Sequence, residues 1–134
     1  MYEEIADRFL ASIVAGDTGA LREIYAPGAL IWHNENAPGG GTEEGVDDNL
    51  RTLRWLSRTV RDFRYEEIRR DWLPDGYVQR HVLRGALPDG QRIEVAACLF
   101  ATVHDGRITR IEEYADTRGS DPLREFAAAQ RAAR

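Results

Sequence analysis

Gln91-Arg92-Ile93-Glu94-Val95-Ala96-Ala97-Cys98-Leu99-Phe100-Ala101-Thr102-Val103 runs between two turn signals, Pro88-Asp89-Gly90 and His104-Asp105-Gly106. Read with a period of two, Ile93, Val95, Ala97, Leu99, Ala101 and Val103 share one face, and Ala96, Cys98, Phe100 and Thr102 share the other. Both faces are largely apolar, so the segment reads as a central strand. Asp-Gly between strand-like runs marks a hairpin, because glycine accepts the positive φ such turns need. A third signal of this kind, Pro74-Asp75-Gly76, lies upstream, and alternation replaces helical periodicity from residue 62 onward. The pattern predicts four antiparallel strands joined as a meander. A short C-terminal helix is expected to start near Asp121-Pro122, anchored by Leu123 and Phe126.

Towards the N-terminus the period is helical. Ile5, Phe9 and Ile13, flanked by Ala6, Leu10 and Val14, form a broad apolar stripe over residues 2–15. Gly16 supplies a stop and Asp17 the N-cap of a second short helix, with Leu21, Ile24 and Tyr25 inward. Pro27-Gly28 is expected to end it, and residues 29–34 read as a first strand. Residues 35–41, with Pro38 and three consecutive glycines, read as a loop that can serve as a lid. Thr42 offers an N-cap, followed by Glu43 and Glu44 where a helix dipole favours acids. Val46, Leu50, Leu53 and Val60 would face inward on the helix so begun, with Trp55 on its other side against a neighbouring element or subunit. The order predicts one α+β domain over residues 1–134: a cone-shaped, curved antiparallel sheet packed on three N-terminal helices. Such a curl leaves a hollow suited to a small molecule.

Composition narrows the partners. The apolar fraction of 43% with 31% charged residues belongs to a folded domain of 134 residues. The net charge of -5 argues against nucleic acid and anionic membranes, which need clustered positive charge. All 18 basic residues are arginine, which excludes Schiff-base chemistry through lysine. Cys98 is the single cysteine, so no intrachain disulfide forms. No signal peptide and no twenty-residue apolar run is apparent, and the expected location is cytoplasmic. His33, His81 and His104 lack metal-ligand spacing, and the triple glycine lacks the Lys and Ser/Thr of a phosphate loop. No cofactor is expected.

Three stretches carry a family resemblance: Arg8-Phe9-Leu10 through Ala15-Gly16-Asp17, Tyr25-Ala26-Pro27-Gly28-Ala29 into Ile31-Trp32-His33-Asn34, and Asp105-Gly106-Arg107-Ile108 through Ile111-Glu112-Glu113-Tyr114-Ala115-Asp116. Together they resemble the nuclear transport factor 2-like superfamily, in its SnoaL-like and ketosteroid-isomerase-like branch. The resemblance spans essentially the whole chain and speaks for the fold more than for any one activity, since isomerases, cyclases, dehydratases, epoxide hydrolases and binders share it. Against the ketosteroid isomerases, the first-strand carboxylate base falls at His33. The helix-one tyrosine falls at Phe9 and the protonated aspartic acid near Cys98, so their oxyanion hole is absent. Against limonene-epoxide-hydrolase-like members, Asp116 and Arg80 match two of the three functional residues, with Val82 at the third. The SnoaL-like cyclases, with an aspartate and a supporting histidine, are matched loosely.

The resulting expectation is a cofactor-independent isomerase, cyclase or dehydratase acting on a small hydrophobic, oxygenated molecule. His33 is the expected base, since imidazole exchanges protons at neutral pH. Asp116 is its expected partner, and Tyr114, on the same strand face as Asp116, the expected donor to substrate. Phe9, Trp32, Arg80, Cys98 and Phe100 complete the expected pocket. Trp32, opposite His33 in parity, also reads as packing, and Cys98 as a small core residue. Arg80 and His81 must face opposite sides of the sheet, and parity leaves open which faces inward. A non-catalytic binding module and an epoxide hydrolase are the alternatives. A homodimer is expected through the apolar outer sheet face.

Overall fold

The computed structural model describes residues 1–34 and 40–134. Two helices open the chain, α1 (Glu3–Ala15) and α2 (Thr18–Ile24). Gly16 closes α1 in the left-handed conformation at φ 67°, and the Asp17 carboxylate caps α2 by accepting from Ala20 N at 3.0 Å. Strand β1 (Tyr25–His33) follows directly, so Tyr25 begins a strand instead of ending a helix. Pro27 and Gly28 fall inside β1, where its pairing with a neighbour shifts register between Tyr25 and Leu30.

The sequence reading fails most clearly at residues 42–45. Thr42–Gly45 form a short strand, β2, antiparallel to β1, with Glu44 opposite Ile31 and Glu43 opposite Trp32. The helix α3 (Val46–Thr59) starts four residues later, with Asp47 and Asp48 as its first-turn acids. Pairing with β1 outweighs the helix-start signal of Thr42 and its glutamates. Pro38 and Gly39 of the expected lid lie outside the described residues.

Strands β3 (Arg61–Leu73), β4 (Gly76–Ala86), β5 (Arg92–His104) and β6 (Arg107–Ala115) form the expected meander, with β5 interior to the sheet. The sheet order is β2-β1-β6-β5-β4-β3. It is mixed, because β1 runs parallel to β6. Its two end strands do not pair with each other, so it is an unclosed curve and not a barrel. The core lies between the concave face and the helices: Ala6, Phe9 and Ile13 of α1 and Leu21 and Ile24 of α2 are buried against Ile31, Leu99, Ile108 and Ile111. The last helix, α4 (Thr117–Ala132), starts before Asp121-Pro122, with Asp116 as its N-cap and Pro122 inside it. It contacts β5, and Trp55 of α3 donates to Gln130 Oε1 of α4 at 2.8 Å. No helix among the described residues is long and apolar enough to cross a membrane.

Candidate functional site

A cavity of about 880 Å³ lies between the concave face of the sheet and the helices. Its sheet side is built by period-two alternation: Ile31 and His33 from β1, Ile111, Glu113 and Ala115 from β6, Val95, Ala97 and Leu99 from β5, His81 and Leu83 from β4, and Tyr65 from β3. Phe9 and Ile13 of α1 face them. His81, Ala97 and Ala115 form one row across three strands, and the two alanines leave room in front of the sheet. Arg51 and Trp55 of α3 and Arg124 and Gln130 of α4 also border this space.

His33 and Glu113 are partners in the parallel β1–β6 register, and both face inward. His33 Nδ1 lies 3.2 Å from Glu113 Oε1, and His33 Nε2 lies 3.4 Å from Glu44 Oε1. Both ring nitrogens thus meet carboxylate oxygens, which only accept. The arrangement calls for a proton on each nitrogen, which is the imidazolium. Burial alone would lower the pKa of His33. The hydrogen bonds and charges of Glu113 and Glu44 outweigh burial and raise it to about 10. Burial likewise pushes the Glu113 carboxyl up, but the hydrogen bond and charge of His33 bring it below its ordinary value. Glu44 follows the same pattern with further help from Asn49. The chain extends inward, as Asn49 Nδ2 donates to Glu44 Oε1 at 3.0 Å and Tyr25 Oη donates to Asn49 Oδ1 at 2.7 Å.

His33 therefore lines the cavity wall, but in a charged form that cannot accept a proton. Glu44 and Glu113, which both line the cavity, are the carboxylates able to do so, and Glu113 is the one whose charge reaches Tyr65 and His81. Its Oε1 is held by His33, and among the described residues its Oε2 has no hydrogen-bond partner. Tyr65 and His81 also line the cavity, their rings packed edge to face at 4.7 Å. Burial pushes the Tyr65 hydroxyl up, with the nearby Glu113 charge adding to it, so it stays protonated. Burial lowers the pKa of His81, the charge of Glu113 opposing and that of Arg70 assisting, so its imidazole is neutral at neutral pH.

Most of the other expected site residues lie elsewhere. Asp116 is exposed and caps α4, accepting from Arg118 N at 3.1 Å. Tyr114 is half exposed on the convex face, one residue out of phase with Glu113. Trp32 packs against it with ring centroids 5.0 Å apart, and Phe100 does so at 6.4 Å. Arg80 and Cys98 are register partners, and Cys98 is in turn opposite Tyr114 on that face. Arg80 thus points away from the cavity and His81 into it, which removes the geometry an epoxide hydrolase site built on Arg80 would need. Phe9 and His33 line the cavity.

Glu113, Glu44 and Tyr65 were not singled out from the sequence. For Glu113 the signal is present: Ile111 marks the inward face, and period two carries it to residue 113, not 114. No equivalent signal marks Glu44, whose position depends on β2 pairing.

The fold and site together define an α+β protein whose curved sheet wraps a largely apolar cavity with a few ionisable groups in its wall. The family model for the SnoaL-like domain matches residues 6–111, and the chain belongs to this family. None of the curated proteins matches it. Among solved structures it is similar to IdmH from Streptomyces antibioticus, a candidate polyketide cyclase (21% identity, TM-score 0.76, 89% of this chain and 94% of that one). It is also similar to PrhC from Penicillium brasilianum (14% identity, TM-score 0.75, 99% and 91%). A candidate isomerase from Bacillus subtilis matches at 15% identity and TM-score 0.73, over 89% and 88%. At these identities the likeness establishes the shared fold.

Proposed function

We propose that the protein is a cofactor-independent acid–base enzyme that moves a proton next to a carbonyl group of a small hydrophobic molecule. The observation carrying this reading is a partly buried carboxylate, Glu113, in the wall of a largely apolar cavity, with one oxygen held by His33, the other without a hydrogen-bond partner among the described residues, and Tyr65 and His81 in the same wall. In the proposed step Glu113 Oε2 takes a proton from a carbon beside the carbonyl. The C–H electron pair becomes the enolate, and charge develops on the oxygen. The Tyr65 hydroxyl and the His81 ring N–H are the donors available to that oxygen. Return of the proton to another carbon completes an isomerisation. Attack of the enolate carbon on a second carbonyl, whose oxygen then takes the proton from Glu113, completes a cyclisation, and departure of a β-hydroxyl as water, with the same proton, completes a dehydration.

Two features of the ion pair shape this chemistry. Pairing with His33 keeps Glu113 ionised but weakens it as a base, so the C–H must be acidified by a second activating group. Glu44 remains beside the imidazolium while Glu113 carries the proton, so the positive charge is never left buried alone. The same weakening favours a second reading, a ligand-binding module without turnover. We further propose that two copies associate through the convex face around Trp32, Phe100 and Tyr114.

The test is deuterium exchange into 2-tetralone, whose C1 protons are activated by both the carbonyl and the ring. Exchange in heavy water catalysed by the wild type and lost in Glu113→Gln supports the enzyme. Saturable binding with exchange no faster than in buffer supports the binding module.

A further inference from the structure

Gln79 and Arg70 lie next to His81 on the sheet, as register partners on β4 and β3. Arg70 Nε donates to Gln79 Oε1 at 2.9 Å, and Arg70 Nη1 donates to Asp7 Oδ1 of α1 at 2.6 Å. Gln79 is 1% exposed, and its Nε2 lies 2.8 Å from His81 Nδ1. A guanidinium has no acceptor, so Gln79 must turn its oxygen towards Arg70 and its NH2 towards His81. The NH2 in turn has no acceptor, so His81 Nδ1 must present its lone pair. Flipping the amide would set NH2 against guanidinium and leave a buried donor unpaired. The direction of each bond is thereby set by its neighbour, starting from Arg70.

We propose that Arg70 and Gln79 are positioning residues that hold His81 as its neutral Nε2–H tautomer, a fixed donor aimed at an acceptor oxygen of the ligand. This deepens the proposed function by assigning the ligand an oxygen on the His81 side of the cavity, and its ligand half rests on that reading. The charged or titratable groups facing His81 are Arg70 and Tyr65 on β3 and Glu113 on β6. A proton on Nδ1 would oppose the Gln79 NH2, so the relay resists conversion to imidazolium. His81 is then available to donate and unavailable as a base.

The experiment is long-range ¹H–¹⁵N NMR on ¹⁵N-labelled full-length protein. It resolves which ring nitrogen of His81 carries the proton. The wild type is expected to show a single tautomer, protonated at Nε2. Arg70→Met, which frees the Gln79 amide to flip, is expected to show a mixture of both tautomers, and Arg70→Lys to restore the single one. Addition of 2-tetralone should shift the His81 Nε2–H resonance, and tetralin, the same skeleton without oxygen, should leave it unmoved. A wild-type ring protonated at Nδ1 overturns the relay without any variant having to fold. A folded Arg70→Met protein with the wild-type tautomer overturns the role of Arg70. A correct tautomer with saturable ketone binding and no Nε2–H shift leaves the relay standing and overturns its role towards the ligand.

Discussion

His33 and Glu113 lie opposite each other because β1 and β6 run parallel, and their side chains meet at 3.2 Å inside the cavity. An antiparallel first strand could not bring the same two positions together with Ile31 beside Ile111. The ion pair is thus a product of topology. Glu44 closes on the other side of the ring only because Thr42–Gly45 pair with β1.

Replacing Glu113 by Gln keeps the shape and removes the charge. The pKa of His33 should then fall from about 10 towards 6.5, because one of its two carboxylate partners is gone. Deuterium exchange into 2-tetralone should fall by roughly a hundredfold or more, the scale of losing a general base. Circular dichroism should be unchanged.

Stability should depend on pH in a way set by His33. Its folded pKa of about 10 lies above its ordinary 6.5. The stabilising contribution is therefore complete below 6.5 and is lost as pH rises through 10. Glu113 and Glu44 are lowered from 4.5, so their contribution is present above 4.5 and is lost as pH falls below it. The melting-temperature gap between wild type and His33→Gln should be widest between these limits and shrink towards pH 10. A gap that widens towards pH 10 would refute the charged-ring assignment.

The convex face exposes Phe100 at 41% and Tyr114 at 50% beside Trp32. Contiguous aromatic surface of this kind favours burial against a second copy. Sedimentation should show a dimer at micromolar concentration, and Phe100→Glu should give a folded monomer. A monomeric wild type would rule out this interface.

Gly76 closes the turn between β3 and β4 at φ 159°, where an added Cβ would stand 1.8 Å from the Ala101 carbonyl oxygen. No flexible side chain can yield there, only backbone. Gly76→Ala should destabilise the fold by about 2 kcal/mol or more in denaturant titration.

The fold was legible in the sequence because its strongest local signals agree: the two-faced apolar run from Ile93 to Val103, the Asp-Gly turns around it and the stripe on α1. The site was only half legible. Phe9 and His33, the two candidates that line the cavity, were reached through the family resemblance, one at the position of a helix-one tyrosine and the other at the end of the first strand. Tyr114 and Asp116 were misplaced because the inward phase of β6 was not read from Ile111. Glu44 was hidden by a competing helix-start pattern that long-range strand pairing overrides. The charge state of His33 was beyond any local reading, since it depends on residues 11 and 80 positions away.

The central claim is that the cavity wall holds a protonated imidazole between two ionised carboxylates. A ¹⁵N NMR titration of His33 in the wild-type protein tests it most directly. The account predicts both ring nitrogens protonated at pH 7 and a midpoint near 10. A ring that is neutral at pH 7, with a midpoint near 6.5, would contradict it.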